Sequence, residues 1–497
     1  MKKNNFNLCL LAFWMMILAS CQKSSEVTLN PILTKETKGN SLTETKSKSL
    51  RVETGGTISV PVDTRNQQIT LLGGGCYFWS KRLMDAPNIT TASSWLWKDL
   101  GVNVFRIVLR NGGVEDVNDN NDPNNTDFTK FKFENGGNTN NIDQVRAVLR
   151  AKELNPNIAV WAVVLSPPKF LKTNNNVNNG GTLKAKTSTL NSYTEFGESI
   201  YAHLDYLKKK GITVNYLTLM NEPDFGSSSI GYESAEYTPA QAKSVYTETV
   251  NWLRTKLSNT ALGIPFPSIT APECIDVKKN QSYITELEPT GNISFYSCHQ
   301  YINSSEANFQ SVANAIGGKG LYMSENHAGF GLGATPDELT SSLDLVNKFH
   351  DAFRGGAKGW LYFEWGNPEV NFGGLLLTPA NANASRKKNY YAYKQFTDGL
   401  LNKSYVATTL SGITNFGASN VSAFSNANSA IINVVNWNTD AQNGVRLNFG
   451  RNIKTVKINR TSATENNKEI WNASNVNLNY YNVNFAGKSF TTVKITW

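Results

Sequence analysis

The chain has 497 residues, more than one hydrophobic core usually organises, so two domains are expected. Aromatic residues at 11% and charged residues at only 18% describe a globular protein whose surface suits neutral polar ligands better than phosphates or ions. The formal charge of +9 does not make a nucleic-acid binder, because residues 1–51 alone hold eight Lys/Arg against three Glu and no basic stripe runs through the remainder.

The chain opens with MKKNNFNLCLLAFWMMILASC: two lysines, an apolar stretch too short to span a bilayer as a mature helix, and small residues before Cys21. This resembles a bacterial lipoprotein signal, which implies cleavage before Cys21 and a lipid on its thiol. The mature protein would then be exported and tethered in the bacterial cell envelope, at the outer membrane or cell surface. A plain secretory signal with an incidental cysteine is the alternative. With Cys9 removed and Cys21 lipidated, Cys76, Cys274 and Cys298 remain, an odd number that cannot make a complete disulfide framework. Buried free thiols are expected, with a Cys274–Cys298 pair open if their strands are neighbours.

Residues 21–52 are rich in Ser, Thr, Lys and Asn and read as a flexible tether after a signal at 1–20. Alternation at Ile58, Val60 and Val62 predicts a half-buried strand within residues 53–70. From 71 to about 400, apolar runs near 70–76, 102–109, 157–165, 213–220, 267–271, 292–299, 320–324 and 357–364 alternate with helical patterns. Tyr193, Phe196, Ile200, Leu204 and Leu207 fall at helical spacing, and Gly211 closes that helix. Thr238-Pro239 and Thr335-Pro336 each offer an N-cap followed by proline at the first helical position. Eight strand–helix units predict an α/β fold of the (β/α)8 TIM-barrel type. LLGGGCYF lacks the G-x-G-x-x-G spacing of a nucleotide-binding turn. Over 401–497 the helical period gives way to short alternating strands, expected to form an antiparallel β-sandwich side domain.

Barrel enzymes build their sites where the strands end, so those positions carry the functional reading. Strand two offers Arg106, strand three Ser166-Pro167-Pro168, strand four Asn221-Glu222, strand six His299 and Tyr301, strand seven Glu325, and strand eight Glu364 and Trp365. Glu222 and Glu325 stand out, because two carboxyl groups meeting across a barrel mouth supply the proton donor and the nucleophile of glycoside hydrolysis. His299 is either a satisfied core histidine or a participant. Trp79, Phe225, Tyr301 and Trp365 divide between sugar stacking and packing. Glu364 binds hydroxyls, raises a neighbour's pKa or pairs with a cation. No His/Asp/Cys cluster has metal-ligand spacing, so neither metal nor cofactor is expected.

An ordered series of motifs is similar to glycoside hydrolase family 30, the retaining β-glycanases of the xylanase and β-1,6-glucanase type: LLGGGCYFW, FRIVL, SPPKFLKTN, LTLMNEPDF, CHQY, LYMSEN and YYAYKQFTDGL, covering about residues 55–497. The resemblance implies a (β/α)8 barrel with a β-sandwich side domain that draws its strands from both ends of the chain. It implies Glu222 as acid/base, Glu325 as nucleophile, Asn221 as hydrogen-bond partner of the sugar 2-hydroxyl, and Arg106 as the group that keeps Glu325 ionised. His299 and Tyr301 match positions beside the site.

The stretch from Ser166 to Lys184 is most similar to the xylanase branch. Leu165 stands where that branch has tryptophan, and FEWGNPEVNFGGLLLT lacks the paired arginines that recognise glucuronate branches. The expectation is therefore a monomeric retaining endo-β-glycosidase acting on a β-linked polysaccharide, with xylan first, and a β-1,6-glucan or galactan as the alternative polymer. A non-catalytic glycan-binding surface lipoprotein is the competing class, and nucleic acid is not expected as a partner.

Overall fold

The computed structural model describes residues 55–134, 139–226, 231–333, 336–371 and 373–497. The signal, Cys21 and the tether up to residue 52 lie outside the described residues. Among the described residues no helix is long and apolar enough to cross a membrane.

Strand β1 (Thr57–Ser59) precedes eight strands that close on themselves: β2 (Leu71–Gly75), β3 (Val104–Leu109), β4 (Ala159–Val164), β5 (Tyr216–Thr218), β6 (Ser268–Pro272), β7 (Phe295–His299), β8 (Leu321–Asn326) and β9 (Gly359–Phe363). All eight are paired in parallel and each answers one of the apolar runs in the sequence. They are Val/Ile/Leu-rich and covered on both faces, which is why they read as continuous apolar runs rather than alternation. One end of the barrel interior is filled by Leu71, Val104, Trp161, Phe295 and Leu361, and a separate layer holds Tyr77, Val108, Val163 and Leu165. The interior is thus a packed core.

The helices are α1 (Ser80–Met84), α2 (Ile89–Ser94), α3 (Thr139–Leu154), α4 (Ser192–Lys209), α5 (Pro239–Leu257), α6 (Asn280–Leu287), α7 (Glu306–Ala315), α8 (Glu338–Arg354) and α9 (Lys388–Thr397). On α4, Phe196, Ile200, Leu204 and Leu207 are buried as the helical spacing requires, and Gly211 follows with φ +79°. That left-handed conformation costs glycine nothing and stops the helix. Thr238 caps α5 through a capping box with Gln241. Helix α8 corrects its expected start: it begins at Glu338, where the Asp337 carboxylate accepts from the Leu339 and Thr340 amides. Aspartate is a strong N-cap in its own right and takes the role assigned to Thr335, which lies outside the described residues.

The C-terminal region is one eight-stranded mixed sheet made of β1 with β13 (Ser404–Val406), β14 (Thr409–Ser411), β15 (Val421–Ser425), β16 (Ser429–Asn436), β17 (Gln442–Thr461), β18 (Lys468–Phe485) and β19 (Ser489–Thr496). Three short strands, β10 (Gly366–Asn367), β11 (Leu376–Leu377) and β12 (Ser385–Arg386), form a separate small sheet after the barrel. Strand β1 inserts between β14 and β17, parallel to the latter, so both ends of the chain build the side domain. The pairing of β17 with β18 carries several register shifts, which bend the sheet. Inward residues of β15, β16 and β19 share one core with those of β1, β17 and β18, as a sandwich requires. The opposite face packs on the barrel helices, with Phe424 against Phe353 and Phe490 against Phe396. Cys76, Cys274 and Cys298 are free and buried, although β6 and β7 are neighbours.

Candidate active site

The site grows from the interior of β3 and the ends of β5, β6, β7 and β8. Strand β3 carries Arg106 in its interior, fully buried. Its Nη1 donates to Glu325 Oε2 at 2.6 Å and to the Tyr77 hydroxyl at 2.7 Å. Its Nη2 donates to Glu273 Oε2 at 2.6 Å and to Asn221 Oδ1 at 3.1 Å. One guanidinium fork thus joins residues just beyond β2, β5 and β6 to one on β8, which point charges on flexible stems would not hold in register.

Glu222 follows β5 with φ +48°, and Glu273 follows β6 with φ +61°. Both are left-handed backbones that a side-chain-bearing residue seldom adopts, and a residue before proline is ordinarily extended. The two turns are tied, since the Glu222 amide donates to the Glu273 carbonyl at 3.1 Å. Such conformations persist where the surroundings over-determine them, and here the outcome is a carboxyl group turned towards the barrel axis.

His299, at the end of β7, is fully buried and touches three carboxyl groups. Its Nδ1 lies 2.9 Å from Glu222 Oε1 and 3.9 Å from Glu325 Oε1, while Nε2 lies 3.7 Å from Glu273 Oε2. Burial alone would lower its pKa, but Glu325, Glu222 and Glu273 together outweigh burial and raise it to about 10. His299 is therefore an imidazolium at neutral pH.

Oxygens of Glu222 and Glu325 and a ring nitrogen of His299 lie within 4.8 Å of one another. That convergence, which sequence spacing did not reveal, is the kind that also holds metals. Three ionisable groups this close together can also pass protons between them, as acid–base chemistry needs. The Tyr301 hydroxyl donates to Glu325 Oε1 at 3.2 Å, and the Tyr232 hydroxyl to Glu222 Oε2 at 3.4 Å.

Arg106 contacts Glu325 and, with His299, pulls its carboxyl towards the ionised form, while burial and the charge of Glu222 push the other way and leave it above its ordinary value. Glu273 takes the opposite direction: burial would raise it, but Arg106 and His299 bring it down to about 2, so it is the permanent anion of the cluster.

Trp365 requires a correction. It is fully buried, edge-on to Phe105 at 5.0 Å and to Trp97 at 6.2 Å, so neither face is open to a sugar. A Cβ on Gly74 would lie 2.6 Å from Trp365 Nε1, and one on Gly75 2.3 Å from the Tyr77 ring. The glycine run of β2 thus makes room for aromatic rings. Trp79 is half-buried at the mouth. Glu364 is buried; burial and the charge of Glu325 raise it well above the carboxylate range despite the Trp79 and Phe78 amides. Among the described residues it pairs with no cation, which speaks against the ion-pair reading.

Glu273, Tyr77 and Tyr232 were missed by the sequence reading. Glu273 could have been found, because it ends the fifth apolar run, SITAPEC, as Glu222 and Glu325 end theirs. The two tyrosines carry no comparable signal.

Residues 100–250 match the model of the glycosyl hydrolase family 30 TIM-barrel domain. No curated protein matches the chain. Among solved structures, the chain is similar to the glycoside hydrolase family 30 subfamily 8 xylanase of Clostridium acetobutylicum, at 20% identity and TM-score 0.68, covering 89% of this chain and 100% of that one. It is also similar to the catalytic domain of xylanase C of Talaromyces cellulolyticus, at 18% identity and TM-score 0.71 with the same coverages, and to an endo-β1,6-glucanase, at 15% and 0.60, covering 88% and 94%. These likenesses speak for the shared fold, and the matched segment contains Arg106, Asn221 and Glu222. The chain thus matches the family 30 barrel model over residues 100–250 and shares its fold with these solved structures.

Proposed function

We propose that the protein is a retaining endo-β-glycosidase that cleaves a β-linked polysaccharide by double displacement, with Glu325 as nucleophile and Glu222 as acid/base. The observation that carries this reading is the separation of at most 4.8 Å between oxygens of the two carboxyl groups. Retaining enzymes hold the pair about 5 Å apart, whereas inverting ones leave about 6.5–9.5 Å for a water.

In the first step a Glu325 oxygen bonds to the anomeric carbon as the bond to the leaving oxygen breaks and Glu222 gives that oxygen its proton. In the second, Glu222 takes a proton from water, whose oxygen displaces Glu325 from the same carbon. Arg106 on one Glu325 oxygen and Tyr301 on the other fix the attacking carboxylate. Asn221 gives its amide oxygen to Arg106, and its NH2 group is then oriented to donate to the sugar 2-hydroxyl. Trp79 offers a half-buried ring at the mouth for stacking.

Xylan is the first polymer to test, supported by the SPPKFLKTN stretch and by two of the similar structures. A β-1,6-glucan is the second, supported by the third. The N-terminal sequence supports an exported protein held in the cell envelope through lipid on Cys21.

A panel of β-linked polymers, read by released reducing ends and product size, tests the activity, and proton NMR of the first product should show the β-anomer. Glu222→Gln should hydrolyse at least about 100-fold more slowly. Glu325→Ala should lose turnover and recover part of it with azide. An initial α-anomer, or unchanged hydrolysis in either variant, would overturn the assignment.

A further inference from the structure

A second set of carboxyl groups converges away from the barrel axis, between the loop that follows β3 and helix α4. Oxygens of Asp119, Glu195 and Glu198 lie within 4.8 Å of one another. Glu195 and Glu198 sit three residues apart on one face of α4, and are 3% and 1% exposed. Asp119 is aimed by its own loop, with Oδ1 accepting from the Asn120 amide at 2.7 Å and Oδ2 from the Asp127 amide at 2.6 Å. Glu115, 2% exposed, accepts from the Asp119 amide at 3.4 Å.

The surroundings are short of positive charge. Among the described residues none of Glu115, Asp119, Glu195 and Glu198 is ion-paired with a Lys, Arg or His. Lys256, which reaches the same loop, ends on the Asn124 carbonyl at 2.8 Å. Glu195 Oε2 and Glu198 Oε1 are buried without a hydrogen-bond partner, and so is one neutral oxygen of the loop, Asn118 Oδ1. Burying acids in this way costs several kcal/mol per charge unless a counter-charge is supplied.

The donors are all oxygen, three of them anionic, which selects a hard divalent cation. For three oxygens no more than 4.8 Å apart, a common centre lies within about 2.8 Å of each, a few tenths of an ångström outside the usual calcium–oxygen distances of about 2.3–2.6 Å. Magnesium demands about 2.0–2.1 Å and a strict octahedron, so calcium fits the wider, irregular set better. We propose that Asp119, Glu195 and Glu198 bind a calcium ion that fastens the loop after β3 to the first turns of α4. The site is distinct from the paired glutamates of the barrel mouth, and its test does not depend on turnover.

The purified full-length protein, stripped with EDTA, is titrated with calcium chloride while thermal unfolding is followed, and its bound metal is measured by mass spectrometry after desalting. The expected result is one calcium per chain and a rise in Tm of about 3 °C or more, with magnesium giving a much smaller rise. Asp119→Asn and Glu198→Gln should abolish both the bound ion and the rise while keeping the native circular-dichroism spectrum. A wild-type chain that neither retains calcium nor gains Tm would overturn the proposal, whatever the variants do. So would a bound ion and a Tm rise that persist in both variants, since the ion would then be held elsewhere.

Discussion

Glu273→Gln isolates the electrostatic design of the site, because glutamine has the shape of a protonated glutamic acid and cannot ionise. The native carboxyl is fully buried and sits 2.6 Å from Arg106 Nη2. Its pKa is brought from 4.5 to about 2 against the burial that would raise it, so the folded state favours the ionised form. Converting that difference gives about 3 kcal/mol of stability carried by the charge at neutral pH. The folded pKa is depressed, so this contribution is complete above the unfolded value of 4.5 and is lost as pH falls through about 2. Urea unfolding of Glu273→Gln should therefore show a deficit of about 3 kcal/mol at pH 7 that shrinks to roughly half by pH 3. A deficit under about 1 kcal/mol at pH 7, or one that stays constant between pH 7 and 3, would refute the assignment of Glu273 as the permanent anion beside Arg106.

His299 gives the opposite pH dependence. Its folded pKa is raised from 6.5 to about 10, so the stability it contributes is complete below pH 6.5 and is lost as pH rises through about 10. Relative to His299→Gln, the native chain should hold an advantage of about 4 kcal/mol at pH 7, falling to about 1 kcal/mol at pH 9; a difference that is flat over this range would contradict the imidazolium. Trp365→Ala should cost about 3–5 kcal/mol of unfolding free energy with KM for polymer unchanged in the folded protein. Intact stability with weakened polymer binding would return Trp365 to the sugar-stacking role.

The sequence determined a great deal by itself. Eight apolar runs separated by helical patterns fix a closed parallel barrel, because strands covered on both faces cannot alternate and each needs a helix to return the chain. Strand ends such as NEPDF and LYMSEN located Glu222 and Glu325, since a barrel enzyme displays its chemistry there. Alternation at Ile58, Val60 and Val62 announced a strand, and the motif resemblance placed it in the side domain where it pairs with β14 and β17.

What the tertiary structure alone decided concerns distances between residues remote in the chain and the water removed from around them. Arg106 is shared by Glu325 and Glu273, from two different strands, and no spacing rule reports that sharing. Trp365 has the sequence signature of a mouth residue, yet its ring lies beneath the strand ends against Phe105 and Trp97. Glu325 stands above its ordinary pKa and Glu273 below, although both touch the same guanidinium. The balance between burial and pairing sets that sign, and burial is a property of the packed molecule.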